Sequence, residues 1–166
     1  MRLHLVQHGE AKSVEEDPDR PLTDRGTADV RRVARLAVEG WDVMAGSIVH
    51  SEKTRARQTA EIWGDVLGVP IDEMEGLAPL DDPSMWAARV GGEQEELMLV
   101  GHLPHLARLA GLLLAGNLER PMVAFRQGGL VGLEQGADGW SIWLVLPPPA
   151  SPGSVEPTGR TPRFRE

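Results

Sequence analysis

Hydrophobic positions along this chain fall into two kinds of segment that alternate. Short runs dense in aliphatic residues give way to longer stretches whose apolar residues recur at three- and four-residue intervals. The short runs predict strands at Leu3–Gln7, Ser47–His50, Ile71–Met74 (an edge strand) and Glu96–Val100. The longer stretches predict four helices. The first is N-capped by Thr23 and ends at Gly40, with Ala28, Val33, Leu36 and Ala37 on its core face. The second is capped by Ser51 and runs to about Leu67, with Ala56, Ala60, Trp63 and Leu67 on one face. Pro83–Val90, with Asp82 as N-cap, and the strongly apolar Pro104–Leu114 follow. Two or three late strands are expected around Met122–Phe125, Gly129–Glu134 and Trp140–Leu146, with a turn at Gly128-Gly129.

That alternation predicts an α/β fold in three layers, α/β/α, with a mainly parallel twisted sheet and helices on both faces. One domain accounts for residues 1–146. Residues 147–166 differ: six prolines and only two large apolar residues, Val155 and Phe164, make no core of their own. This Pro-rich tail is expected to pack over the body or against a neighbour, with a disordered segment as the alternative.

Composition narrows the function. The 166 residues are 41% apolar and 25% charged, ordinary for a globular domain. A formal net charge of -8 argues against nucleic acid and anionic membrane as partners. Any anion handled here must be held by a local cationic pocket. The absence of cysteine excludes disulfides, thiolate metal sites and cysteine nucleophiles. The most apolar stretch, Leu103–Gly116, is broken by His105 and Arg108 and falls short of a membrane span, so a cytoplasmic protein is expected. No histidine–carboxylate spacing suggests a metal site, and no cofactor is expected.

Three segments place a histidine or arginine just after a predicted strand: Gln7-His8-Gly9-Glu10, Ser51-Glu52-Lys53-Thr54-Arg55 and Gly101-His102-Leu103-Pro104. In a parallel sheet these positions share the carboxyl edge, where ligands bind. Two imidazoles and a guanidinium converging there suit a tetrahedral oxyanion.

Five stretches carry a resemblance: Leu-Val-Gln-His-Gly-Glu-Ala (5–11), Arg-Pro-Leu-Thr-Asp-Arg-Gly (20–26), Ser-Glu-Lys-Thr-Arg-Ala-Arg-Gln-Thr-Ala (51–60), Gly-Leu-Ala-Pro (76–79) and Val-Gly-His-Leu-Pro (100–104). In this order they resemble the histidine phosphatase superfamily, and within it the small phosphohistidine phosphatases of the SixA type. The resemblance covers about the first two-thirds of the chain. It implies a metal-independent phosphatase in which His8 is the nucleophile of a phosphohistidine intermediate. Arg55 and His102 would hold the phosphoryl oxygens. Gly9 would let the backbone pass close to the His8 ring.

Two departures matter. Where the family usually reads Arg-His-Gly, this chain has Gln7, whose amide can still bind phosphate but lacks charge and fork geometry. Arg20, or less readily Lys12, is the candidate to restore that charge. Larger relatives also place a carboxylate near the Gly76 region as general acid. Here Glu75 and Asp81 are the candidates for that role, and a phosphohistidine substrate reduces the need for one. The expected substrate is therefore a phosphorylated protein such as a phosphorelay component. The alternatives are a phosphomonoesterase acting on a small phosphorylated substrate, and a module that binds phosphate but hydrolyses it weakly.

Bland readings suffice elsewhere. His4 reads as a packed histidine, His50 as a strand end, and His105 as a helix residue that could rim the pocket. Ser51 and Thr59 read as cap and packing residues, and Arg31, Arg32 and Arg35 as a solvated face. The five tryptophans, Trp41, Trp63, Trp86, Trp140 and Trp143, read as core or edge packing.

Overall fold

A computed structural model describes residues 1–92 and 95–150. Its elements are β1 (Arg2–Gln7), α1 (Asp24–Trp41), β2 (Ser47–His50), α2 (Thr54–Leu67), β3 (Ile71–Glu73), α3 (Ser84–Val90), β4 (Leu97–Gly101), α4 (His105–Ala115), β5 (Leu130–Gly136) and β6 (Gly139–Leu146). The tail beyond residue 150 lies outside the described residues, so the expectation that it packs is left there.

One six-stranded sheet runs β3-β2-β4-β1-β5-β6. The first four strands in that order are parallel, and β5 and β6 join antiparallel at the other end. Alternate residues of the central strands serve two cores. Val6, Ile48, Met98 and Val100 pack against Val30, Val33 and Ala34 of α1 and Ala60 and Trp63 of α2. Leu3, Leu5, Val49 and Leu99 pack against Trp86 of α3 and Leu106 and Leu109 of α4. A strand covered on both faces must be apolar throughout, which is why Leu97–Gly101 is buried at every position. The architecture is the three-layer one read from the alternation.

Several details differ from the sequence reading. The buried face of α1 is Val30, Val33, Ala34 and Ala37, while Leu36 is 50% exposed and Ala28 is also on the solvent side. That helix passes Gly40 and stops where Asp42 adopts a left-handed conformation (φ 52) and donates its N–H to Ala37. Met122–Phe125 forms no strand; it lies between α4 and β5 and contributes Phe125 to the core as a plug. Trp41 is half exposed, whereas Trp63 and Trp86 are fully buried. Thr23 caps α1 as expected, its hydroxyl accepting from the Gly26 N–H at 2.9 Å. The Asp82 carboxylate accepts the Ser84 N–H at 2.9 Å, so it serves the start of α3 although the helix begins one residue later than expected.

Candidate functional site

Register aligns the chemistry. Gln7 pairs with Gly101 and His50 with Val100, so His8, Ser51 and His102 each follow matched strand positions on one edge. Backbone bonds continue past the strands: His8 N–H donates to Gly101 at 3.1 Å and Ser51 N–H to Val100 at 3.3 Å. The Gly128 turn (φ 74) donates one N–H to both the Gln7 and His8 carbonyls at 3.0 Å, clamping the end of β1.

The His8 ring is fixed by its neighbour. Nδ1 lies 2.7 Å from the Gly9 carbonyl, and because a carbonyl only accepts, Nδ1 carries the proton. Nε2 is then a free lone pair, and it accepts the Arg55 Nε–H at 3.3 Å. Burial lowers the His8 pKa to about 4, and the positive charges of Arg55 and Arg20 push the same way. His8 is therefore a neutral imidazole whose Nε2 carries a lone pair beside the Arg55 guanidinium. Gly9 has a different reason from the one expected. A Cβ there would meet Val30 Cγ2 at 2.8 Å and the Gly26 carbonyl at 3.1 Å, so the glycine admits α1 rather than the ring.

His102 sits with its ring centroid 4.9 Å from that of His8. Its pKa is pushed down to about 3 by burial, with His8 and Arg55 adding to the shift. Its Nε2 is 2.6 Å from the Ser51 hydroxyl, while Nδ1 is buried without a partner. Gln7 is also buried, and its Oε1 has no partner. Buried polar atoms without partners are uncommon. Of these atoms, His102 Nδ1 lies in the ring packed beside His8, whose lone pair meets the Arg55 guanidinium, so a polar ligand held there would satisfy it.

Arg55 is on the first turn of α2, and that turn is anchored by Thr59. The Thr59 hydroxyl donates to the Arg55 carbonyl at 2.7 Å and accepts the Gly9 N–H at 3.1 Å. Arg20 holds a left-handed backbone (φ 48), rare for arginine, with its Nε–H on the Lys12 carbonyl at 3.1 Å. Its charge lowers the pKa of both His8 and Arg55, which places it beside the pocket. Lys12 itself is exposed.

A separate groove of about 510 Å³ is lined by Glu52, Glu75, Gly76, Asp81, Asp82 and Met85, and of these Glu52 is near enough for its charge to act on His102. Both general-acid candidates, Glu75 and Asp81, lie here rather than against His8. Asp81 Oδ2 accepts the Ala78 N–H at 2.9 Å. His105 is fully buried, so it does not rim the pocket; Asp81 and Asp82 act on it by charge. His4 is packed as expected, 3.5 Å from Glu96 and edge-on to Trp143. His50 Nδ1 donates to the Ser51 carbonyl at 2.9 Å, and Arg31, Arg32 and Arg35 are exposed. Among the described residues no group of three potential metal ligands occurs. No helix among them is long and apolar enough to cross a membrane.

The sequence reading missed two side chains. Ser51 does not cap α2, whose N-cap is Lys53; its hydroxyl goes to His102 instead. Thr59 joins Gly9 to Arg55 rather than merely packing. Ser51 was legible in principle, since it follows β2 as His8 follows β1 and His102 follows β4.

Comparison with known proteins bears on family and fold. The model of the histidine phosphatase superfamily, branch 1, matches residues 3–81. The chain belongs to the histidine phosphatase superfamily. An uncharacterised protein of Picosynechococcus is 32% identical over 145 residues, covering 82% of this chain and 87% of that protein. The structure of the protein histidine phosphatase SixA complexed with tungstate is similar at TM-score 0.77 and 25% identity, covering 89% of this chain and 97% of that one. An alpha-ribazole phosphatase from Shigella flexneri shares the fold at TM-score 0.71 and 18% identity, covering 88% and 96%. Superfamily membership makes a phosphatase acting on a phosphorylated substrate the coarse function. Fold alone does not choose the substrate.

Proposed function

We propose that this protein is a metal-independent phosphohistidine phosphatase working through a phospho-His8 intermediate. The observation that carries the reading is the His8 ring itself, protonated at Nδ1 by its bond to Gly9 and open at Nε2 beside Arg55. The likeness to a protein histidine phosphatase and the open groove that Glu52 lines support a substrate presented on another protein.

The Nε2 lone pair of His8 attacks phosphorus as the bond from phosphorus to the substrate imidazole breaks. A substrate ring protonated at its other nitrogen departs as neutral imidazole, so no carboxylic acid has to donate. Arg55 leaves Nε2 and takes the phosphoryl oxygens, with His102 as a neutral donor and Gln7 offering its amide. Arg20 adds positive charge from the loop, in place of the arginine that Gln7 replaces. Water then attacks phospho-His8, and the ring leaves as neutral imidazole because Gly9 has kept the proton on Nδ1. One hydrogen bond thus serves His8 both as nucleophile and as leaving group.

The test is phosphate release from a phosphohistidine protein and from small phosphomonoesters, with His8→Ala as control. The expected result is turnover of phosphohistidine that His8→Ala abolishes; turnover surviving that change sinks the mechanism. A second reading, a small-molecule phosphomonoesterase, is favoured by Glu75 and Asp81 lining the groove, and faster turnover of sugar phosphates would select it. Phosphate binding without any turnover would instead select the binding module suggested by Gln7.

A further inference from the structure

Ser51 and His102 form the shortest side-chain contact in the pocket, 2.6 Å, between residues that are 0% and 1% exposed. Two arrangements of protons would give that contact. In one the hydroxyl donates to Nε2; in the other Nε2–H donates to the hydroxyl oxygen. Among the described residues the Ser51 hydroxyl has no other side-chain or backbone partner. The second arrangement would therefore leave the hydroxyl proton orphaned in a fully buried place, a costly loss. It would also turn the other ring nitrogen, Nδ1, into a bare lone pair. Nδ1 is buried and has no protein partner in either arrangement, so what it presents, a lone pair or an N–H, is left for a ligand to meet. A lone pair facing phosphoryl oxygens repels them, whereas an N–H attracts them.

We infer that Ser51 is a positioning residue: its hydroxyl donates to His102 Nε2 and so fixes the tautomer whose Nδ1–H is offered to the phosphoryl oxygens. The inference rests on the phosphatase reading for its consequence, but the proton's location does not. His102 remains neutral in this pocket, so it has one proton to place, and a neutral imidazole donates only from the nitrogen that holds it. Ser51 thereby plays for His102 the part that the Gly9 carbonyl plays for His8. The two devices are mirror images. A backbone acceptor holds the proton on Nδ1 of His8 and leaves a lone pair for attack; a hydroxyl donor occupies Nε2 of His102 and leaves a proton for binding.

Ring ¹⁵N NMR of the histidine-labelled protein tests the tautomer without any turnover. The expected result is His102 protonated at Nδ1 in the wild type and a mixed or reversed tautomer in Ser51→Ala. His102 protonated at Nε2 in the wild type overturns the inference. Activity and phosphate binding supply the functional arm. Ser51→Ala should lower kcat about tenfold, the loss of one hydrogen bond of about 1.4 kcal/mol, and weaken binding of inorganic phosphate by a similar factor. Ser51→Thr, which retains the hydroxyl, should recover most of both. His102→Asn keeps a donor near the Nδ1 position and His102→Gln moves it toward Nε2, so Asn should retain more activity than Gln. In the His102→Asn background Ser51→Ala should have little further effect. Gln outperforming Asn, or Ser51→Ala costing as much in that background, overturns the positioning role. Should the wild type prove inactive, the phosphatase reading falls, while NMR and phosphate binding still decide the role of Ser51.

Discussion

On the phosphoryl side of the cleft, His8 and His102 are 7% and 1% exposed and stand on strand ends in matched register. On the other side, Glu52, Glu75, Asp81 and Asp82 lie on connecting segments around an open groove, with Leu80 beside them 85% exposed. The first side is orderly because each reactive group has its own holder: Gly9 for His8, Ser51 for His102, Thr59 for the turn carrying Arg55. The second is held mainly by its own turns. The Ser84 N–H keeps the Asp82 carboxyl below its ordinary range, and Lys53 does the same for Glu52. Charge acts strongly where water is excluded and weakly where it is not. Under the phosphohistidine phosphatase reading, binding and transfer of the phosphoryl group belong to the rigid side, and recognition of what carries it to the open side. Substitutions on the two sides should differ in size accordingly.

Short of removing the nucleophile His8, the largest effect belongs to Arg55→Ala. Arg55 is the cation hydrogen-bonded to His8, and removing one such donor of transition-state charge costs about 2.7–4 kcal/mol. The expected loss in kcat/KM on a phosphohistidine substrate is about 10²- to 10³-fold, read by phosphate release. A loss under about tenfold would move the principal charge of the pocket to Arg20. The rigid side would then extend into the loop before α1.

A second effect follows from the same burial. The folded-state pKa of His8 is about 4, below the ordinary 6.5, so the unfolded chain binds more protons between those values. Stability from neutral His8 is full above about pH 6.5 and is lost as pH falls toward the folded value. At pH 5 the loss attributable to His8 is about 2 kcal/mol, and His102, depressed further, adds in the same direction. Urea unfolding at pH 7.5 and pH 5 should show a smaller acid loss in His8→Ala than in the wild type. Equal losses would mean that the ring is far wetter than its surroundings indicate.

Legibility in the sequence followed the same division. The strands, the parallel order and the strand-end histidines were readable because a two-sided core imposes continuous apolar runs, and the residue after each run must emerge at the sheet edge. Ser51 was read as a cap because serine before a helix usually is one; its place after β2, matching that of His102 after β4, was the sign that its hydroxyl is spent on His102. Gly9 was assigned to the ring it follows, whereas the constraint comes from Val30 and Gly26, distant in sequence. Leu36 satisfied helical spacing yet faces solvent, because periodicity alone does not say which of two adjacent stripes meets the sheet. The groove was least legible, since its residues come from separate connections with no common period.

The smallest effect should come from that groove. Under the phosphohistidine reading the departing imidazole needs no acid, so Glu75→Gln and Asp81→Asn together remove charge but no proton donor that the reaction uses. Asparagine can still accept the Ala78 N–H at position 81, which preserves the turn. The doubly substituted protein should therefore keep kcat on phosphohistidine within about threefold, as expected for exposed charges worth under 1 kcal/mol. A phosphomonoester behaves differently, because its alkoxide leaves poorly unless protonated. A fall of about 10²-fold or more on esters, with phosphohistidine turnover untouched, would identify one of the two carboxyls as an acid for ester chemistry. A comparable fall on phosphohistidine would erase the contrast between the two sides, since the groove would then take part in the transfer step itself.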